Sequence, residues 1–441
     1  MIKIYDVDSA RSTILRRSSL NTLTYPPLVL ESTQRLLGTG ITPPQAVSRI
    51  IASVQEEGDL ALRRWCALLD KAELPDFCIP ESEMENAFLS LPQDLRDVMQ
   101  VAIRRIRAFH ELQPLPNWKT TSLGGELGQR ARPIERVGVY VPGGTAPLPS
   151  SLLMSVIPAQ VAGVSQIVVC TPPRPHPSIL AAAHLCGLKS LFQVGGAQAI
   201  AALAFGTESI PRVDKIVGAG NLFVALAKLQ LYGVVGLDGV AGPTETMVIA
   251  DGAARPAWVA ADLLAQAEHD VLASAILLTP DRALAEAVQI EVARQLEDLS
   301  RAEIIIQSFA ARSGIVLTPN LESAIDLANA YAPEHLCLAV ADPVAFAARI
   351  RNAGGLFLGE GSFEVLGDYI VGPSHVMPTG GTARFASPLN VLDFVKITSM
   401  LALDETISRE LSPLAARFAR AEGLTAHAAA ADFRAGGIHV Q

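Results

Sequence analysis

Residues 133–144 read PIERVGVYVPGG, and the fold turns on them. Before this point the apolar positions recur every three or four residues. Here Val137, Val139 and Val141 alternate until Pro142, Gly143 and Gly144 stop the run. Alternation marks a strand, and the Pro-Gly-Gly stop marks a turn. Downstream, SSLLMSVIPAQVAGV is followed by QIVVCTPP, PSILAAAHLCGL by SLFQVGG, and AQAIAALAFG by VDKIVGAG, before the helical NLFVALAKLQLYG. A second series starts near ETMVIAD and continues through SAILLTP, IVLTP, HLCLAV and GLFLGE. Apolar strands alternating with helices across short connections predict parallel sheets. The expected class is α/β, with two doubly wound, incomplete Rossmann-like domains.

Residues 1–25 carry few periodic apolar positions and read as an arm or short strand rather than part of a core, whereas Thr42 to Leu112 is helical in pattern. The expected first α/β domain is discontinuous, 26–136 with 245–385, and the second covers 137–244. From about Ala386 the pattern is helical again, VLDFVKITSM included. That 386–441 tail is too short to fold alone, so it is expected to pack on something else, a second subunit among the candidates.

The chain has 441 residues, 50% hydrophobic and 18% charged, enough to bury a large core. A net charge of -9 argues against a nucleic-acid-binding surface, and no Lys/Arg run reverses that. No apolar run reaches a membrane span, and the first residues lack the apolar stretch of a secretory signal. Five scattered cysteines without a CxxC pair fit a reducing compartment, and neither a disulfide framework nor a thiolate zinc site. The expectation is a cytoplasmic enzyme with no nucleic-acid and no membrane partner.

Several short stretches carry candidate chemistry. In DLLAQAEHD, Asp262, Gln266 and His269 would share one helix face: half of a metal site, or the polar face of a surface helix. VGGAQAI and GAGN follow strands and open helices, where free N–H groups suit a phosphate; ordinary tight turns look the same, and GxGxxG occurs nowhere. YAPEHL sets Glu334 beside His335, an acid–base pair at a strand start, or a surface acid next to a capping His. Both side chains reach one pocket only if the segment is still loop, because neighbours in a strand face opposite ways. Asp368 and His375 fall in a Gly/Pro-rich loop, where an Asp is often a turn residue, and Glu422 and His427 flank Gly423 and Leu424. Gln266, His269, Asp368 and His427 together offer nitrogen and oxygen donors that suit zinc, with manganese or cobalt as alternatives.

Taken in order, PIERVGVYVPGG, VGGAQAIAALAFGTESIPRVDKI, AGPTE, ADLLAQAEHD, YAPEHL, GDY, SHVMPTGGTARF and EGLTAH resemble the histidinol dehydrogenase family from about Leu28 to Ala430. The resemblance implies zinc-dependent, NAD-linked oxidation of L-histidinol to L-histidine through the aldehyde, with two NAD+ consumed. It implies Gln266, His269, Asp368 and His427 as zinc ligands, His335 as general base and Glu334 as the group that activates water. Thr244, His375 and Glu422 then match substrate contacts, together with the zinc ligands and His335. Tyr140, Gln198 and Asn221 match NAD contacts in the second α/β domain. The family's C-terminal segment reaches the neighbouring subunit, so a homodimer with a shared site is expected. Three positions depart from the family pattern: Thr244 for the usual Ser, Ala219 for Pro, and Ser374 for Asn. Alternatives are a related dehydrogenase acting on another polar alcohol (a diol or amino alcohol), covalent catalysis by Cys170, and a non-catalytic binding protein on the same fold.

Overall fold

The computed structural model describes residues 2–17, 25, 27–143 and 146–436. Gly144 of the Pro-Gly-Gly stop and most of 18–26 of the N-terminal arm lie outside the described residues, as does the end of the tail. The chain divides into two compact units, Met1–Leu112 with Ile134–Phe394, and Gln113–Pro133 with Val395–Gln441.

The larger unit contains two six-stranded sheets. One runs Ile4–Asp6, Gly314–Leu317, Ser274–Thr279, Glu245–Ala250, His335–Ala339, Gly355–Leu358, parallel throughout. Its central strands are buried from end to end, as a sheet covered by helices on both faces requires. The N-terminal arm forms this sheet's Ile4–Asp6 edge and a helix, Val7–Ser12, and the expectation that it stays outside the core is corrected: Ile2 and Ala10 are fully buried in the core. The other sheet runs Cys78–Pro80, Ser190–Gln193, Gln166–Thr171, Arg136–Tyr140, Lys215–Val217, Gly236–Leu237, parallel except for its first strand. The chain order reverses between Arg136–Tyr140 and Lys215–Val217 in this sheet, and between Glu245–Ala250 and His335–Ala339 in the first. Such reversals open crevices at a sheet edge.

Helices Pro43–Glu57 and Asp59–Leu69 fall where the sequence pattern groups 26–136 with 245–385. Their buried Val47, Ile50, Leu62 and Trp65 instead share one apolar cluster with Phe192 and Ile216 of the Arg136–Tyr140 sheet and with Ile200 and Leu203 of the helix Gly196–Phe205 that covers it. Sequence neighbourhood did not decide the partner; the apolar face did.

The smaller unit holds an antiparallel sheet, Val395–Ala402 against Glu126–Pro133 against Trp118–Thr120, and the helices Glu405–Ala421 and Thr425–Arg434. The helical expectation for VLDFVKITSM is therefore corrected: Val391–Phe394 is a 3-10 turn and Val395–Ala402 a strand. β-Branched Val395, Ile397 and Thr398 favour that state once Glu126–Pro133 supplies a partner. No helix among the described residues is long and apolar enough to cross a membrane.

Leu62→Ala should cost about 2–5 kcal/mol if Leu62 belongs to this core. A lowered urea midpoint checks it; an unmoved midpoint would detach these helices from the sheet.

Candidate active site

The first sheet brings two strand starts together. Thr246 is paired with His335, so Thr244 and Glu245 at the start of one strand lie beside Glu334 and His335 at the start of the next. The Glu334 carboxylate accepts from the Thr244 hydroxyl at 2.6 Å and from the Glu245 N–H at 2.9 Å, both on Oε2. Helix Leu321–Tyr331 ends at Ala332, whose φ of 52° and ψ of 67° break the helix ahead of Pro333. The strand starts at His335, leaving Glu334 in the connection. That resolves the objection from strand alternation: His335 Nδ1 lies 3.8 Å from Glu334 Oε2, and both side chains are buried.

Burial pushes the Glu334 carboxyl up, while the His335 charge, the Thr244 hydroxyl and the Glu245 amide pull it back; the balance leaves it at about 7. A carboxyl at that value changes protonation near neutrality and is suited to moving a proton. His335 donates from Nδ1 to the Glu245 carbonyl at 3.3 Å, because a carbonyl only accepts. Its Nε2 has no hydrogen-bond partner and faces Asp368 Oδ1 at 3.6 Å. Burial disfavours the charged ring, but Glu364, Glu334 and Asp368 outweigh it and raise His335 to about 10.

Asp368 sits in a short helix, Glu364–Tyr369, and not in the loop expected for it. Its i,i+4 neighbour Glu364 is buried, accepts from the Thr246 hydroxyl and interacts with His335. Asp262, raised to about 7 by burial and by Glu364 and Glu360, joins the same acidic group. Neither Glu364 nor Glu245 stood out in the sequence; the i,i+4 pair of acids in EVLGD was the available signal for Glu364.

The opening helix of the metal motif also differs from expectation. Pro256–Ala267 ends before His269, so a common helix face does not extend to that residue. His269 folds back as a cap, its Nδ1 donating to the carbonyls of Ala265 at 3.0 Å and Gln266 at 3.3 Å. Both carbonyls lie in the last turn of the helix, and these contacts use only Nδ1 of the ring. Gln266 is fully buried, and both its amide oxygen and nitrogen lack partners. Among the described residues, no three His, Cys, Asp or Glu side chains converge as metal ligands. The third donor of this segment group is an amide, and His427 belongs to the smaller unit, exposed on Thr425–Arg434 with Glu422 exposed at the end of the preceding helix.

His375 donates from Nδ1 to the Asp368 carbonyl at 2.8 Å, so its Nε2 is the acceptor that meets the Ser151 hydroxyl at 3.2 Å. Burial lowers its pKa, which keeps the ring neutral and this pairing intact. Ser374 is buried, donating to the Met154 carbonyl at 3.1 Å. Thr244, Glu334 and His375 line one cleft with Ser151, Gly218 and Ala219.

Gly218 and Ala219 belong to the GAGN turn at the reversal of the second sheet. Gly218 has φ 108°, and a Cβ there would meet the Tyr140 carbonyl oxygen at 2.2 Å, so only glycine fits. The Tyr140 hydroxyl accepts from the Gly196 N–H at 3.1 Å. Asn221 caps Leu222–Leu231, accepting from the N–H groups of Phe223 and Val224. Gln198 is buried, donates to Asp70 at 3.2 Å, and leaves its carbonyl oxygen unpaired. Tyr140, Gln198 and Asn221 therefore shape the two glycine turns. Cys170 is fully buried in the core, where desolvation raises its thiol pKa and keeps it protonated, a poor nucleophile.

A buried acid–imidazole pair, its acid lining one cleft with a glycine turn of a second, mostly parallel sheet, marks an α/β enzyme with groups suited to proton transfer. The chain belongs to the histidinol dehydrogenase family of oxidoreductases, whose profile, described as histidinol dehydrogenase, matches residues 41–435. It is 53% identical over 393 residues to a histidinol dehydrogenase of Thermus thermophilus, covering 89% of this chain and 95% of the relative. A histidinol dehydrogenase of Deinococcus radiodurans is 49% identical over 431 residues, covering 96% and 98%. The crystal structure of histidinol dehydrogenase from Elizabethkingia anophelis matches with a TM-score of 0.89 at 35% identity, covering 99% of this chain and 98% of that one.

Glu334 should titrate near pH 7, visible as a carboxyl band in pH-difference infrared spectra and absent in Glu334→Gln. Thr244→Ala removes a bond to the charged form, so the midpoint should move upward; a downward shift would contradict the cradle.

Proposed function

We propose that this chain oxidises L-histidinol to L-histidine through the aldehyde, the closing steps of histidine biosynthesis, with zinc and NAD as cofactors and as a homodimer. The observation that carries this is the buried Glu334–His335 pair, whose Glu334 is held by Thr244 and Glu245 and lines one cleft with the Gly218–Ala219 turn.

The residues fit the cofactors. A buried amide with neither atom paired costs about 1–3 kcal/mol per group, so Gln266 is better explained as a ligand side chain than as packing. With His269 Nε2 left free by its cap and Asp368 interacting electrostatically with His269, the set offers the mixed donors that suit zinc. The glycine turns after two strands of the Arg136–Tyr140 sheet, one of them at its reversal, suit NAD despite the missing GxGxxG. When bound, zinc would anchor the substrate and offset the carboxylates that keep His335 protonated, and NAD would accept hydride.

The chain's own groups then divide the work. His335 takes the alcohol proton at Nε2 while its Nδ1–H stays on the Glu245 carbonyl. The carbinol hydrogen leaves as hydride, giving the aldehyde. Glu334 takes a proton from water as it attacks the aldehyde carbon, and the hydrate loses the second hydride to give the carboxylic acid. His375, neutral and oriented by Asp368 and Ser151, contacts the substrate. The retained hydroxyl of Thr244 already serves Glu334, so this departure from the family pattern leaves the chemistry in place.

The smaller unit exposes Leu401, Leu414, Phe418 and Phe433 at 75%, 66%, 70% and 61%. Apolar exposure on that scale supports a second copy as the covering partner, with Glu422 and His427 completing the site of the neighbouring subunit.

NADH formed per L-histidine released tests the reaction. Two NADH per histidine, abolished by chelation, is expected; turnover of other amino alcohols or diols without histidinol would transfer the function to the related dehydrogenase. Gln266→Leu tests the metal assignment separately. It should lower zinc per chain while leaving the metal-free protein equally or more stable, because an unpaired amide is replaced by an apolar group. Full zinc content in Gln266→Leu would remove Gln266 from the ligand set.

A further inference from the structure

We propose that Arg17, on the N-terminal arm, is a positioning residue for the catalytic pair. Its guanidinium gathers the two backbone segments that aim Glu334 and His335. Nε and Nη2 donate to the Tyr331 carbonyl at 2.9 and 2.6 Å, and Nη2 also reaches the Ala332 carbonyl at 3.2 Å. Nη1 is ion-paired with the carboxylate of Glu245, and Cζ lies 3.4 Å above the Tyr331 ring.

Each contact lands behind the site. Tyr331 ends the helix before the motif, and its carbonyl is one of those a helix end leaves unpaired. Ala332 holds a left-handed conformation that a residue with a Cβ rarely adopts, at φ 52°, and the guanidinium ties down the carbonyls on both sides of it. Glu334 follows two residues later, so the direction of the chain at Ala332 decides where its carboxylate points. Glu245 is the other anchor: its N–H holds Glu334 and its carbonyl holds the His335 Nδ1–H. One planar fork therefore restrains both sides of the pair, from a residue outside the 41–435 match to the family. Lysine, with a single ammonium, cannot make the bidentate contact to Tyr331 together with the ion pair to Glu245. Arg17 touches none of the reacting atoms.

The proposal rests on Glu334 and His335 as the proton-transfer groups, so wild type and Glu334→Gln are measured beside the Arg17 variants. Arg17→Ala should lower kcat about 10- to 100-fold, the scale of a misplaced catalytic group. KM for histidinol and zinc per chain should stay near wild type, and Arg17→Lys should keep only part of kcat. Methylguanidinium, small enough to refill the space at this partly exposed position, should raise the activity of Arg17→Ala saturably and leave wild type unaffected. A wild-type kcat in Arg17→Ala would overturn the proposal. So would a loss that follows only the folded or zinc-loaded fraction, with no rescue. If Arg17→Ala does not fold, Arg17→Lys decides: wild-type kcat there overturns it, and reduced kcat at unchanged KM and zinc supports it. Full activity in Glu334→Gln would remove the assignment beneath the proposal, and the proposal with it.

Discussion

The carboxylate of Glu334 needs two donors at the same oxygen, and the architecture around the cleft follows from supplying them. Thr244 and Glu245 provide a hydroxyl and an amide only because Glu245–Ala250 and His335–Ala339 are neighbours in register. Without those donors a fully buried carboxyl would stay protonated well above neutrality. With them it sits at about 7, where it can take a proton from water and return it. The same neighbouring strand fixes the imidazole through the Glu245 carbonyl, so one residue's backbone orients both members of the pair.

The two sheets contribute opposite edges. In the Arg136–Tyr140 sheet, the glycine turns follow the strands, at the carboxyl edge where parallel sheets ordinarily hold ligands. In the other sheet, Thr244, Glu334 and His335 lie where strands begin. In the proposed reaction, a cleft lined from both sides would let the cofactor sit on one sheet while acid–base groups approach from the second. The division has a cost in buried charge. Glu334, Glu364 and Asp368 crowd around His335, with Asp262 close to Glu364, and like charges in a desolvated place raise the acids or force a cation among them.

The alternating valines at 137–141 and the buried runs after them were legible because parallel strands leave a hydropathy signal that needs no knowledge of their partners. The glycine turns were legible for a similar reason, since Gly218 has a local steric requirement. Val395–Ala402 was not, because most of its residues are exposed on both faces and its strand state depends on pairing with Glu126–Pro133, far away in sequence. The site was visible only as fragments. YAPEHL shows an acid beside a base, but the donors that tune the acid come from some ninety residues upstream, as the Thr244–Glu334 separation records. The end of the helix at Ala267 and the cap His269 makes on its last carbonyls depend on side-chain geometry that the spacing alone does not contain.

The central claim is a division of labour, with Glu334 needed for water attack and His335 for the alcohol proton. Single-turnover hydride transfer, followed as NADH from L-histidinol and separately from the aldehyde in Glu334→Gln, tests it most directly. Oxidation of the aldehyde should slow about 10²- to 10⁴-fold, the usual worth of a positioned general base, while the first hydride transfer stays near wild type. Equal loss in both halves, or an undiminished aldehyde step, would contradict the account.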